Sequence, residues 1–227
     1  MGASDALRTA VIMDYQNVHL TGHGLFSSAK FRPRHECLID PLLFANCLLD
    51  QRNQRQRPGF PPATLSRVLV YRGQPSSEHD PDGYARNQAQ KAQWERDPRV
   101  RVTLRPLKYL YSRDQSGRHA TDTNGQKIVV GPPREKGVDV LCALACVREA
   151  QAEDIDLVIL ASSDSDLAPA LDEVRHLGTA KIETCCWYDR AARVGYQLHP
   201  TDRSRPMWNT QLDETTFKRT WDMTTYS

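Results

Sequence analysis

The sequence predicts an α/β fold: a Rossmann-like, doubly wound and mainly parallel five-stranded sheet with helices on both faces. Two observations lead there. Short apolar runs recur along the chain with few polar residues in them, as in strands buried on both faces. Helix signals, each an Asp-Pro cap or an apolar stretch of helical length, fall between those runs, which implies right-handed crossovers.

The elements follow in order. Thr9 to Met13 (TAVIM) reads as strand one and delivers Asp14 at its C-terminal end. Asp40-Pro41 is an N-cap followed by Pro at the first helical position, opening a helix with Leu42, Leu43, Phe44, Cys47 and Leu48 on its apolar side. Leu65 to Tyr71 is strand two. Asp80-Pro81 repeats the cap before a polar helix reaching about Arg96, and alternation at Val100, Val102 and Leu104 marks strand three. Residues 109–133 form an insertion in which 107–111 and 127–130 pair as a hairpin, with Asn124-Gly125 as the turn. Val138 to Val147 is apolar on nearly every side, a helix buried against the sheet, and Leu157 to Leu160 is strand four. Asp164 to Leu177 reads as one helix stopped by Gly178, and Lys181 to Tyr188 as strand five. The main domain spans 8–198. Residues 199–227 form a polar tail in which Leu212, Phe217 and Trp221 dock a short final helix on the body.

Composition narrows the functional classes. A length of 227 residues suits one well-cored domain. The 39% hydrophobic and 26% charged content argues against wholesale disorder. No apolar run approaches the roughly 18 residues of a membrane span, and the first residues lack a secretion or myristoylation signal, so a cytoplasmic location is expected. The six cysteines include no C-x-x-C pair and read as reduced core residues. Net charge is only +2, so a polyanion partner is not announced globally. Locally, Lys30, Arg32, Arg34, Arg52, Arg55 and Arg57 form one basic stretch, and Arg99, Arg101, Arg105, Lys108, Arg113 and Arg118 another.

The chemistry lies in the acids. Ligands of open α/β sheets bind beyond the carboxyl ends of the strands, where strand order reverses. Asp14 follows strand one, Ser162-Ser163-Asp164-Ser165-Asp166 follows strand four, and Asp139 lies in the first turn of the helix leading into strand four. If strands one and four are neighbours, these four carboxylates converge, with Asn17 beside them. Asp164 as a helix cap and Asp139 as a favourable first-turn charge are the structural alternatives. Like charges at that spacing call for a counter-ion, and hard oxygen ligands favour Mg²⁺ or Mn²⁺. Lys136 and Arg72 stand as phosphate contacts. Tyr15 at a buried strand end reads as packing. His19 and His23 have helical i, i+4 spacing, but Thr21, Gly22 and Gly24 assign them to a loop.

At these residues the chain resembles the NYN domain family, part of the PIN-like nuclease superfamily and related to LabA-type proteins. The match rests on D-x-x-N at Asp14–Asn17, K-G-x-D at Lys136–Asp139 and S-D-S-D-L at Ser163–Leu167. The resemblance implies a PIN-like fold, a Mg²⁺ or Mn²⁺ site made by Asp14, Asp139, Asp164 and Asp166, and endonucleolytic cleavage of RNA by a metal-activated water. Asn17 would join the catalytic set, with Ser163, Lys136 and Arg72 on the substrate. A further acid near the end of strand five belongs to some PIN-like sites; Asp189 and, less well, Glu183 stand there, and a surface role suits both better. RNA is the expected partner, DNA is left open, no membrane is involved, and a homodimer or partner protein is left open. Two rivals remain: a non-catalytic RNA-binding or scaffold module, and a haloacid-dehalogenase-like phosphatase. The latter wants D-x-D, where this chain has Gln16.

Overall fold

The computed structural model describes residues 6–26 and 33–226; Lys30 and Arg32 of the first basic stretch lie outside them. The chain runs β1 (Leu7–Asp14), α1 (Tyr15–Leu25), a 3₁₀ turn (Arg34–Glu36), α2 (Pro41–Gln54), β2 (Ala63–Gln74), α3 (Pro81–Trp94), β3 (Val100–Pro106) and α4 (Val138–Ala150). It continues through β4 (Leu157–Ala161), a second 3₁₀ turn (Ser165–Leu167), α5 (Ala168–Leu177), β5 (Lys181–Asp189), β6 (Val194–Gly195), β7 (Asn209–Leu212) and α6 (Glu214–Arg219).

The fold is α/β with a mostly parallel sheet of order β3-β2-β1-β4-β5-β6, and β7 also pairs with β5. Alternate residues of β1 explain its sequence. Val11 and Met13 enter one apolar cluster with Phe44, Leu48 and Phe217, whereas Ala10 and Ile12 enter the cluster on the other face with Cys142, Leu171 and Val174. All four β1 residues are fully buried, as period-2 side chains must be when helices cover both faces. The caps form as the sequence requires: Leu43 N–H donates to Asp40 Oδ1 at 2.9 Å and Gly83 N–H to Asp80 Oδ1 at 2.8 Å. Gly178 stops α5 in the left-handed region at φ +65°. The cysteines are free, and all but the half-buried Cys186 are buried.

Several expectations are corrected. The sheet has seven strands rather than five. One of the additions comes from the tail: β7 pairs parallel with β5 from Thr184 to Trp187, and α6 behind it places Phe217 in the core, fully buried. Residues Tyr15–Leu25 form a helix, so His19 and His23 are helical and not in a loop. Tertiary packing overrides the weak propensity of Gly22. A Cβ at Gly22 would lie 2.6 Å from Phe217 Cε2 and 2.9 Å from Trp187 Nε1, so only glycine lets α1 approach this closely. Trp187 Nε1–H donates to Val18 O at 2.8 Å across the same contact.

The expected helix from Asp164 is divided, a 3₁₀ turn preceding α5. The insertion pairs its outer segments through bridges at Lys108–Arg134 and Tyr111–Val129. Asn124-Gly125, however, turns between Thr121 and Lys127, because a middle segment around Ala120 intervenes. Ser112 N–H donates to Ile128 O, Ala120 N–H to Ser112 O and Ile128 N–H to Ala120 O, tying three segments into an irregular ribbon in place of a simple hairpin.

Phe217 touches Phe26, Trp187 and Trp221 at ring-centroid distances of 5.4, 5.1 and 5.8 Å. Phe217→Ala is therefore expected to cost about 3–5 kcal/mol of stability, read as a lowered denaturant midpoint. A midpoint within error of wild type would show that the tail is not part of the core.

Candidate active site

β1 pairs in parallel with both β2 and β4, so the strand order reverses at β1. Met13 stands opposite Ala161, the last residue of β4, which puts Asp14 one residue past that strand's end. Asp14 is 6% exposed. Its Oδ1 accepts from Asn17 N–H at 3.3 Å, capping α1, and its Oδ2 accepts from Ser162 Oγ–H at 3.2 Å. Burial pushes the Asp14 carboxyl up to about 6. The Asn17 bond opposes that rise, while the charges of Glu135 and Asp164 add to it.

Asp14 opens onto a cleft of about 330 Å³ whose other lining residues are Glu135, Lys136, Gly137, Val138, Asp139 and Asp164. Asp139 lies in the first turn of α4, whose N-terminus no side chain caps. The turn into α4 needs Gly137, which sits at φ +77° with Arg105 Nε 3.0 Å from where a Cβ would be. Arg105 Nε–H donates to Lys136 O at 2.6 Å and fixes this loop. Asp164 Oδ1 accepts from Asp166 N–H at 3.0 Å at the start of the 3₁₀ turn.

The structure thus brings Asp14, Lys136, Asp139 and Asp164 to one cleft and separates the other candidates. Asp166 is exposed and does not line it. Asn17 Oδ1 accepts from both Ser163 N–H at 2.8 Å and Ser163 Oγ–H at 2.9 Å. Both residues line an adjoining crevice with Ser162, Cys186 and Trp187. Arg72 packs over the Tyr15 ring at 4.5 Å and the Trp94 ring at 5.6 Å and donates to Gln90 Oε1 at 2.6 Å. Its guanidinium is engaged in packing and is not among the cleft-lining residues, though its charge acts on Glu135, which is. Tyr15 is 1% exposed, its hydroxyl bonded to the Ile39 backbone. His19 is buried with Nε2 3.1 Å from Arg34 O, and burial lowers its pKa to about 4. Glu183 pairs with Arg52 through two 2.8 Å bonds at the opposite end of β5 from the cleft. Arg52 is accordingly buried and drops out of the basic stretch. Asp189 accepts from Ala191 and Ala192 N–H in a surface turn.

Glu135 is the site residue that sequence reasoning missed. Its carboxylate accepts from Gly73 N–H, and burial raises its pKa against the opposing pull of that bond and of Arg72. The available signal was its position directly before Lys136, in E-K-G-V-D.

Among the described residues, no three His, Cys, Asp or Glu side chains are grouped so as to hold a metal ion. The donor chemistry of the cleft, all carboxylate oxygen, suits a hard cation bound by one or two carboxylates and completed by water.

A carboxyl raised on folding binds a proton that the unfolded chain has released between about pH 4 and 6. The folded state is favoured at the acid end of that window, and stability falls as pH rises through it, by on the order of 3 kcal/mol. Asp14→Asn keeps an N-capping oxygen and removes this loss. Denaturation at pH 5 and pH 8 should show the variant less pH-dependent than wild type and more stable at pH 8. An unchanged pH profile would contradict the assignment.

No protein-family model matches the chain, and no curated protein matches it. The crystal structure of a protein of unknown function from Vibrio parahaemolyticus RIMD 2210633 is similar over 82% of this chain and 84% of that one, at 19% identity and a TM-score of 0.43.

Proposed function

We propose that this chain is a metal-dependent endoribonuclease of the NYN type, hydrolysing RNA phosphodiester bonds at the Asp14 cleft. The observation that carries the reading is a buried carboxylate at the strand-order reversal, sharing one cleft with two further aspartates, a glutamate and a lysine. A buried acid with a raised pKa in a cleft at that position is a functional-site signature, which supports the reading.

Asp14 together with Asp139 or Asp164 would hold Mg²⁺ or Mn²⁺. When bound, the ion acts as a Lewis acid and lowers the pKa of a coordinated water. The protein's own groups do the rest. Ser162 and Asn17 N–H hold the Asp14 carboxylate in one orientation. Asn17 Oδ1, by accepting twice from Ser163, fixes the loop that carries Asp164 and is a positioning residue. Lys136 supplies a point charge for the scissile phosphate, and the uncapped N-terminus of α4 favours an anion in the same place. Glu135 has Oε1 engaged by Gly73 N–H, which leaves Oε2 to accept a proton.

The rival is an RNA-binding or scaffold module without turnover. Cleavage separates the two. Purified protein with labelled single-stranded RNA, structured RNA or DNA should cut RNA with Mn²⁺ or Mg²⁺ and not with EDTA. Asp14→Asn and Asp164→Asn should each lower the rate by at least about 100-fold. Undiminished cutting by Asp164→Asn would place the chemistry elsewhere, and RNA bound but uncut with metal present would favour the module.

A further inference from the structure

Between Arg105 and Lys136 the chain carries seven Lys or Arg and three Asp or Glu. All three acids accept backbone N–H groups. Asp114 Oδ1 accepts from Ser116 and Arg118 N–H, and Asp122 Oδ1 from Asn124 and Gln126 N–H, closing the two turns of the ribbon. Glu135 takes Gly73 N–H at the ribbon's root. The cations meet no acid, although Arg113 Nη1–H donates to Gly117 O at 2.7 Å and Arg118 Nε–H to Ser116 Oγ at 3.0 Å. Among the described residues, Lys108, Arg113, Arg118, Lys127, Arg134 and Lys136 form no ion pair with an acid. All six are exposed. Aromatic rings are interleaved with them. His79 lies 4.8 Å from Tyr109 and 5.6 Å from Tyr111, His119 lies 5.4 Å from Tyr111, and Lys127 Nζ sits 5.3 Å from the Tyr111 centroid. Tyr109 accepts from Ser76 N–H at 2.9 Å, which ties the ribbon to the body. The ribbon then runs through Arg134 directly into Glu135 and Lys136 of the acidic cleft.

We infer that the 107–134 ribbon is an arm that grips single-stranded RNA and leads it to the cleft. This deepens the ribonuclease reading and rests on it for the class of substrate. Unpaired surface cations take phosphates by releasing counter-ions. Half-exposed Tyr109 and Tyr111, with exposed His119 beside them, present stacking surfaces that only unpaired bases can reach. The combination selects a single strand over a duplex, whose bases are already stacked.

The test is fluorescence anisotropy with a labelled oligouridylate and a duplex RNA of the same length, in EDTA, over a range of KCl concentrations. The wild type should bind the single strand more tightly. The triple variant Lys108→Gln, Arg118→Gln, Lys127→Gln changes only exposed side chains and should bind at least about tenfold more weakly, with a salt slope smaller by about 2. Tyr111→Ala should lose at least about fivefold while Tyr111→Phe keeps its affinity, and circular dichroism confirms the fold of each variant. Wild-type affinity in the triple variant, tighter binding of the duplex, or no binding of the oligouridylate by wild type at low salt would each overturn the inference. Binding that depends on the ribbon without any cutting in Mn²⁺ would leave the arm in place and overturn the nuclease reading instead. Cutting with binding unaffected by the ribbon variants would do the reverse.

Discussion

The structure depends on the burial of β1 between two layers of helices. Because both of its faces are packed, the backbone that ends it is fixed, and the bonds from Asn17 N–H and Ser162 Oγ–H hold the Asp14 carboxylate at the floor of the cleft. The fold therefore holds Asp14 in a place where water is scarce and the charged form is costly. The parallel neighbours β2 and β4 leave diverging connections at that point, so the space above Asp14 stays open.

Charge balance around this acid is local. Asp14, Glu135, Asp139 and Asp164 face one cleft with Lys136 as the cation among its lining residues. Arg105 binds the Lys136 carbonyl, and Arg72 lies under Tyr15 and Trp94. The surplus of negative charge is held by rigid elements: the end of β1, the left-handed turn at Gly137 and the Asn17–Ser163 contact. Such a site is suited to receive positive charge from outside the chain rather than to neutralise itself.

The parallel core was legible because its cause is local: continuous apolar runs and Asp-Pro caps carry their own signals, and the acids at strand ends follow from them. What escaped depends on distant contacts. The glycines of α1 argue against a helix until Phe217 and Trp187 are known to press on Gly22. β7, with the polar sequence NTQL, becomes a strand only because β5 offers an open edge. Arg72 looked like a phosphate ligand from its place after a strand, yet an aromatic pair at that spot claims the guanidinium. Glu135 was hidden by its proximity to the insertion, since nothing in the sequence states that Gly73 N–H waits for it.

The seam between α1 and α6 has a consequence for biogenesis. During ribosomal synthesis the N-terminal segment emerges first, but the partner that packs against Gly22 is Phe217, almost the whole chain later. Until then α1 lacks the contact that outweighs its poor propensity, and the Asp14 cap has no settled helix to hold. The helix that Asp14 caps thus rests on a contact of long sequence separation, of the kind whose loop-closure cost slows folding.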